Sequence, residues 1–181
     1  NMYWGRRYML SNRYFEAIAH FENVCRSTRH RFFSVSKEAT KQLLQVVYCL
    51  GFCYCELCLF EKAFYYLNMV KSTGDIHHAM EYVNVLANSG DLRVFKEIET
   101  IVDDVRQQFP DDDELPEHVQ KLLSFLKRRH GYSLIEFGKL DEAEKVFKSL
   151  LDDPTSQDYA VSELAYIQKL KANESPESSE A

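Results

Sequence analysis

Four cysteines within ten residues are the first candidates for chemistry in this chain: Cys49, Cys53, Cys55 and Cys58. Thiolates of this kind bind zinc when four ligands converge on one point. On one helix, at about 100° per residue, Cys53 lies near Cys49, whereas Cys55 and Cys58 point to the opposite side. One helix therefore cannot close such a site. Because cysteine is among the residue types most often buried, we expect all four to pack in a core.

The histidines and the acidic run give no arrangement that favours catalysis or metal binding. The six histidines are His20, His30, His77, His78, His118 and His130. None stands in an H-E-x-x-H frame, and the run from Asp111 to Glu114 lacks the alternating ligands and central glycine of a calcium loop. Phosphate loops and nucleophile elbows are also missing from the sequence. We therefore expect no enzyme, no metal, no cofactor, and structural or surface roles for the histidines.

Charge is distributed unevenly along an acidic chain. The net charge is −6, but residues 1–37 carry seven basic groups against two acidic ones, net +5, which leaves −11 for the rest. Aromatic residues interleave with these arginines, and single-stranded nucleic acids are bound by such combinations. The aromatic residues are Trp4, Tyr8, Tyr14, Phe32 and Phe33. Since the acidic remainder would repel a long polyanion, binding of nucleic acid or an acidic partner through Arg26, Arg29 and Arg31 is an alternative, not the main prediction.

Length and composition indicate one folded domain. The chain has 181 residues, 45% of them hydrophobic and 28% charged, which is typical of a soluble globular protein. No uncharged apolar run approaches the roughly 18 residues that a membrane span needs. The odd number of cysteines, five, argues against a secreted disulfide framework, so we expect a cytoplasmic location.

Hydrophobic residues recur at intervals of three and four, which predicts helix along almost the whole chain. Turn-forming residues divide this pattern into nine helices. We place them at residues 2–12, 14–29, 36–58, 61–73, 75–88, 91–108, 116–137, 140–151 and 155–171. Asp141 with Glu144, and Thr155 with Asp158, have the spacing of capping boxes for the last two helices. Residues 172–181 form a predicted flexible, acidic, serine-rich tail after a domain of residues 1–171.

A pattern centred on glycine occurs three times. An aromatic residue or leucine follows three residues later, alanine twelve later, and phenylalanine or leucine sixteen later. The three sets are Gly5, Tyr8, Ala17 and Phe21; Gly51, Tyr54, Ala63 and Leu67; and Gly131, Leu134, Ala143 and Phe147. Small residues let two helices approach closely. We therefore expect helix pairs whose close contacts join each glycine to its alanine, and stacking of the pairs, because one pair cannot cover its own apolar face.

The chain resembles the tetratricopeptide repeat (TPR) family, whose pattern is this order of glycine, aromatic, alanine and phenylalanine. The best matching segments are YWGRRYMLSNRYFEAIAHF, VVYCLGFCYCELCLFEKAFYYL and RRHGYSLIEFGKLDEAEKVF. A fourth, EYVNVLANSGDLRVFKEIETIV, is degenerate, with Val83 in place of glycine. Over residues 2–154 the resemblance implies an all-α fold, a right-handed α-α superhelix of about four antiparallel TPR-like helix pairs with a C-terminal capping helix. The anchors are 46, 32 and 48 residues apart, so we expect an irregular array.

Proteins of this family are typically scaffolds whose first helices line a concave groove for an extended peptide or a partner's helix. By position, the resemblance implies a partner-binding groove formed by Arg6, Met9, Tyr48, Phe52, His77, Met80, Asn84, Arg128, Tyr132 and Glu136. The expected function is therefore protein binding, with no carboxylate clamp of paired Lys and Asn. Two alternatives stay open: the protein's own helices or tail fill the groove, or the chain is a self-association module of a larger regulatory protein.

Overall fold

The computed structural model describes residues 2–29, 37–111 and 114–174, apart from the side chains of residues 28, 29 and 38. Within those ranges the protein is all-α, with nine helices and no strand. The helices are α1 (Met2–Leu10), α2 (Tyr14–Arg29), α3 (Lys37–Glu56), α4 (Phe60–Val70), α5 (Ile76–Asn88), α6 (Arg93–Gln108), α7 (Glu117–Glu136), α8 (Leu140–Lys148) and α9 (Gln157–Glu174). The prediction of an all-helical chain of nine helices is confirmed.

Some predicted features lie outside the described residues. They are Arg31, Phe32 and Phe33 of the N-terminal basic segment, the centre of the acidic run at residues 112–113, and residues 175–181 of the predicted tail. The described part of that tail, up to Glu174, continues α9.

The helices divide into two compact units, one up to Ser89 and the other from Gly90 onward. In the first unit each helix from α1 to α4 packs against the one that follows it, and α3 also contacts α5. In the second unit the same sequential packing links α6 to α9. The boundary coincides with the turn of the degenerate segment, so its two helices, α5 and α6, belong to different units.

The helix pairs α1–α2, α3–α4 and α7–α8 share one turn geometry. The residue seven after each glycine has a left-handed backbone, with φ of 58° at Asn12, 57° at Cys58 and 74° at Gly138. The next residue's N–H donates to the carbonyl five residues earlier, over 2.8 to 2.9 Å in all three. This is the Schellman arrangement that ends a helix. Cys58 is therefore an exposed turn residue, and the prediction that it continues a helix into the core is wrong.

Each glycine of the pattern lies against the side chain sixteen residues later. A Cβ added to Gly5 would be 2.7 Å from a ring carbon of Phe21, and one on Gly131 would be 2.7 Å from Phe147. One on Gly51 would be 2.4 Å from Cγ of Leu67. The three alanines are completely buried. Each glycine thus makes room for a large side chain on the facing helix, and the expected contact between the glycine and its alanine stays a prediction.

Two helix starts differ from the predicted capping boxes. Helix α8 begins at Leu140 with Lys139 at the N-cap, so Asp141 lies in the first turn. Before α9, Asp153 Oδ1 accepts the N–H and hydroxyl hydrogens of Thr155 at 3.0 and 2.7 Å, and the helix starts two residues later. Among the described helices, none has the length and apolar character needed to cross a membrane.

Candidate partner-binding surfaces

Seven predicted groove residues lie on the first unit's α1, α3 and α5, and we name them the first-helix face: Arg6, Met9, Tyr48, Phe52, His77, Met80 and Asn84. Arg6 and His77 are exposed, and the other five side chains are half-buried. None is a fully buried core residue. The face therefore combines apolar side chains that are partly covered with charged or polar ones at the surface.

Tyr48 links α3 to α5 through a histidine. Its ring stacks on His78, with centroids 4.8 Å apart and planes inclined by 29°. Thr73 Oγ1 is 2.7 Å from Nδ1 of this buried imidazole, whose pKa is lowered by burial. Burial, and then the charge of Glu81, raises the pKa of Tyr48 to about 12. The imidazole that packs here is thus His78, while the predicted His77 points to solvent and only its backbone N–H bonds to Asp75.

Phe52 and Arg6 join the neighbouring helices to α3. The Phe52 ring meets Tyr14 edge to face, at 6.3 Å and 69°. The Tyr14 hydroxyl in turn donates to Asn12 Oδ1 at 3.0 Å. Burial raises the pKa of Cys49, and the nearby Arg6 guanidinium opposes this rise. Tyr48 thus links α3 to α5, and Phe52 packs against the first residue of α2.

The side-chain amide of Asn84 is only partly hydrogen-bonded. Its Nδ2 donates to Glu81 Oε2 at 3.2 Å. Its Oδ1 is buried and has no hydrogen-bond partner among the described residues. A buried carbonyl left in this state costs about 1–3 kcal/mol, so a donor that reached it would add to the affinity of a bound partner.

The second unit holds the other three predicted residues on α7, where Arg128 makes the most contacts. Its guanidinium lies 4.8 Å from the ring centroid of Tyr159 on α9. One of its nitrogens also donates to the carbonyl of Thr155 at 3.2 Å. Arg128 therefore attaches α9 to α7, which leaves less of its charge available for a partner.

Tyr132 packs inward and Glu136 faces solvent. The Tyr132 ring meets Phe147 edge to face at 5.5 Å, and burial, followed by the charge of Glu163, raises its pKa. Burial likewise raises the pKa of Glu163 itself. Of the three α7 residues, only Glu136 is exposed.

The thiols are arranged for packing. Cys49, Cys53 and Cys55 are buried, as predicted, and burial raises the pKa of Cys53 and Cys55 to about 12. Since the thiolate is both nucleophile and metal ligand, these protonated groups are inert. The described residues hold no group of three or more His, Cys, Asp or Glu side chains that could bind a metal ion.

The described N-terminal arginines make contacts within the chain. Arg13 pairs with Glu16 at 2.8 Å and lies 4.8 Å from the ring centroid of Tyr8. Arg26 is 3.9 Å from Glu22. These pairings reduce the positive charge that the basic segment offers to a phosphate backbone.

A second surface was missed by the sequence analysis. Tyr65 and Met69 on α4 are 60% and 49% exposed, although both are large and apolar. The signal was present in the run Phe64-Tyr65-Tyr66. Three consecutive helical residues span about 200°, so they cannot all face one core.

In comparisons with known proteins, no family model, no curated protein and no solved structure matches this chain. Its function is therefore inferred from its own residues and contacts.

Proposed function

We propose that this chain is an irregular array of TPR-like helix pairs in a right-handed superhelix, and that it binds another protein without catalysing a reaction. Three pairs with the same Schellman turn and the same glycine-to-large-residue contact support the repeat assignment. Repeated pairs of this kind stack because each pair leaves an apolar face uncovered.

The observation that carries the proposal is the partial exposure of the first-helix face. Its apolar members lie on three helices of the first unit, yet none is fully buried. Interfaces are enriched in aromatic residues, Met and Arg, and their strongest contacts are aromatic or Arg side chains in partly desolvated positions. Phe52 and Tyr48 are held by ring contacts to Tyr14 and His78, so they would lose little side-chain entropy on binding.

The partner that fits this face is a peptide or helix with an apolar anchor and a nearby hydrogen-bond donor. The anchor would contact Met9, Phe52 and Met80, and the donor would satisfy Asn84 Oδ1. Acidic groups on the partner would be attracted to the exposed Arg6, which lies at the α1 side of the face.

A displayed random-peptide library would supply ligands, and amide chemical shifts would map where they bind. We expect the shifts to change on α1, α3 and α5. The replacement Met80→Ser should weaken binding roughly tenfold, because it removes an apolar contact worth more than about 1 kcal/mol. Met69→Ser, the same change on α4, is the matched control and should have little effect.

The proposal is contradicted if the amide chemical shifts change only on other helices, or if Met80→Ser and the wild type bind the peptide equally. Two further results would favour the alternatives. A mass that rises with concentration in light scattering, with no selected peptide, would indicate self-association. An oligonucleotide that binds with a steep salt dependence, lost in Arg26→Gln, would indicate the nucleic-acid role.

A further inference from the structure

A groove lies on the other side of the first unit, between α2 and α4, with α3 at its base. It consists of two adjoining depressions of about 280 and 420 Å³. Both are lined by Glu22, Tyr65 and Tyr66. The smaller adds Tyr54, Glu61 and Lys62, and the larger adds Cys25, Arg26, Leu43, Val47 and Met69. We name the whole the second-helix groove.

The smaller end of this groove presents tyrosine rings in two orientations. Tyr54 and Tyr66 are parallel within 2°, with centroids 5.7 Å apart. Tyr65 stands at 80° to Tyr66, at 5.2 Å. The rings pack on one another, and of the three only Tyr65 is largely exposed. An exposed aromatic face beside carboxylates attracts ammonium groups through cation–π interaction.

Two carboxylates and one ammonium line this end, those of Glu22, Glu61 and Lys62. Glu22 is held by the Tyr54 hydroxyl, which donates to its Oε1 at 2.9 Å, and Arg26 at the adjoining end lies 3.9 Å from it. One ammonium already uses the aromatic surface, since Lys62 Nζ lies 5.3 Å from the Tyr54 ring centroid. Tyr65 remains largely exposed, so a second cation can reach its ring.

The larger end is apolar. Leu43 and Val47 on α3 form its base with Met69, which lies one helical turn after Tyr65 on α4. Residues four apart share one face of a helix, so Tyr65 and Met69 form a continuous exposed apolar stripe. Such a stripe on the outside of a helix is typical of an interaction site.

We propose that the second-helix groove binds a segment of a partner protein that places a lysine-type ammonium, preferably trimethylated, against Tyr65 and Tyr66 and a neighbouring apolar side chain against Met69. Methylation removes N–H groups that water would solvate and spreads the charge over a larger apolar surface, which suits an aromatic wall. This surface shares no residue with the first-helix face, although α3 contributes to both, and it does not depend on the proposed function.

Three blocked peptides test the proposal on the intact chain. Each has the sequence Gly-Leu-X-Gly, and X is trimethyllysine, lysine, or the analogue in which a tert-butyl group replaces trimethylammonium. The last has the same shape without the charge. We expect the trimethylated peptide to bind roughly 2- to 30-fold more tightly than the neutral analogue, the range of a cation–π contact. Amide shifts should change on α2 and α4 and leave α1 and α5 unaffected.

Two substitutions at the exposed Tyr65 separate ring electrostatics from hydrophobic contact. Tyr65→Phe keeps the aromatic face and should retain the preference for the charged peptide. Tyr65→Leu keeps the apolar surface without the ring and should reduce that preference, since only Tyr66 and the carboxylates of Glu22 and Glu61 remain. Equal binding of the charged and neutral peptides, no binding of either, or an unchanged preference in Tyr65→Leu would overturn the proposal.

Discussion

The pairs α3–α4 and α7–α8 have the same backbone turn and the same glycine contact, yet they attach the following helix by different chemistry. The residue after the buried alanine is Phe64 in one pair and Glu144 in the other. Phe64 contacts the ring of Tyr82 on α5, with centroids 5.7 Å apart. Glu144 instead pairs with Lys171 on α9. The backbone features are thus common to both helix pairs, whereas a single side chain on the second helix determines how the following helix is attached.

The contacts of the first helices show the same contrast. Tyr48 and Arg128 each lie three residues before the glycine, and His78 and Tyr159 are each the third residue of the helix after next. Tyr48 stacks on His78 with ring centroids 4.8 Å apart, and the Arg128 guanidinium lies 4.8 Å from the ring centroid of Tyr159. One position thus performs the same task with two kinds of side chain.

The glycine contact is the feature whose loss should cost most. Gly51→Ala and Gly131→Ala should each destabilise their unit by about 1–3 kcal/mol, because the added methyl group overpacks a tight contact. We expect the larger effect at Gly51, where the obstructing atom is Cγ of the fully buried Leu67. Urea unfolding followed by Trp4 fluorescence measures the first unit, and amide exchange on α7 measures the second. The expectation is wrong if the free energy of unfolding changes by less than about 0.5 kcal/mol at both positions, as at an ordinary surface site. The helices could then move apart to admit the methyl group.

The left-handed turn residue should give effects of opposite sign in the two pairs. Cys58→Gly should stabilise the first unit by up to about 1 kcal/mol, because glycine adopts positive φ without a steric penalty. Gly138→Ala should destabilise the second by a similar amount. The same unfolding measurements report both changes. If both variants moved stability in one direction, the turns would not be equivalent.

Acid should weaken the contact between α8 and α9. Hydrogen bonds from Lys148 and then Lys171 lower the pKa of Glu144 to about 2, from an ordinary 4.5. Since the folded-state pKa is the lower one, this stabilisation is complete above about pH 4.5 and is lost as the pH falls toward 2. The amide exchange rate of α9, relative to that of α8, should rise over that interval. The exchange rate of α5, relative to that of α4, should not show this rise, because aromatic rings hold those two helices together. Glu144→Gln is the control, and its α9 exchange should show no such acid dependence.

The sequence predicts the fold well because helix periodicity and the glycine pattern are local signals. The number and order of the helices among the described residues follow from them. Cys58 was misplaced because nothing in its side chain indicates a positive φ, which the turn imposes. The large side chain that faces each glycine was not predicted, because spacing alone does not say which residues of the facing helix lie nearest to the place of a Cβ.

The binding surfaces were predictable only in part. The positions implied by the family resemblance define the first-helix face, whose members are half-buried or exposed, and their role as a groove stays a prediction. They could not show that Tyr48 would rest on His78 rather than beside His77, since that depends on the angle between α3 and α5. The second-helix groove was missed because the helical pattern alone does not show which side of α4 its neighbours leave exposed, as they do at Tyr65 and Met69.

The succession of contacts from each helix to the next also bears on how quickly the chain reaches its native state. Within both units the described helices touch mainly their neighbours in the sequence. Topologies of such low contact order need few long loops to be closed, and they are among the fastest to fold. A hairpin completed early can serve as the template for the one after it, so assembly can follow the order of synthesis.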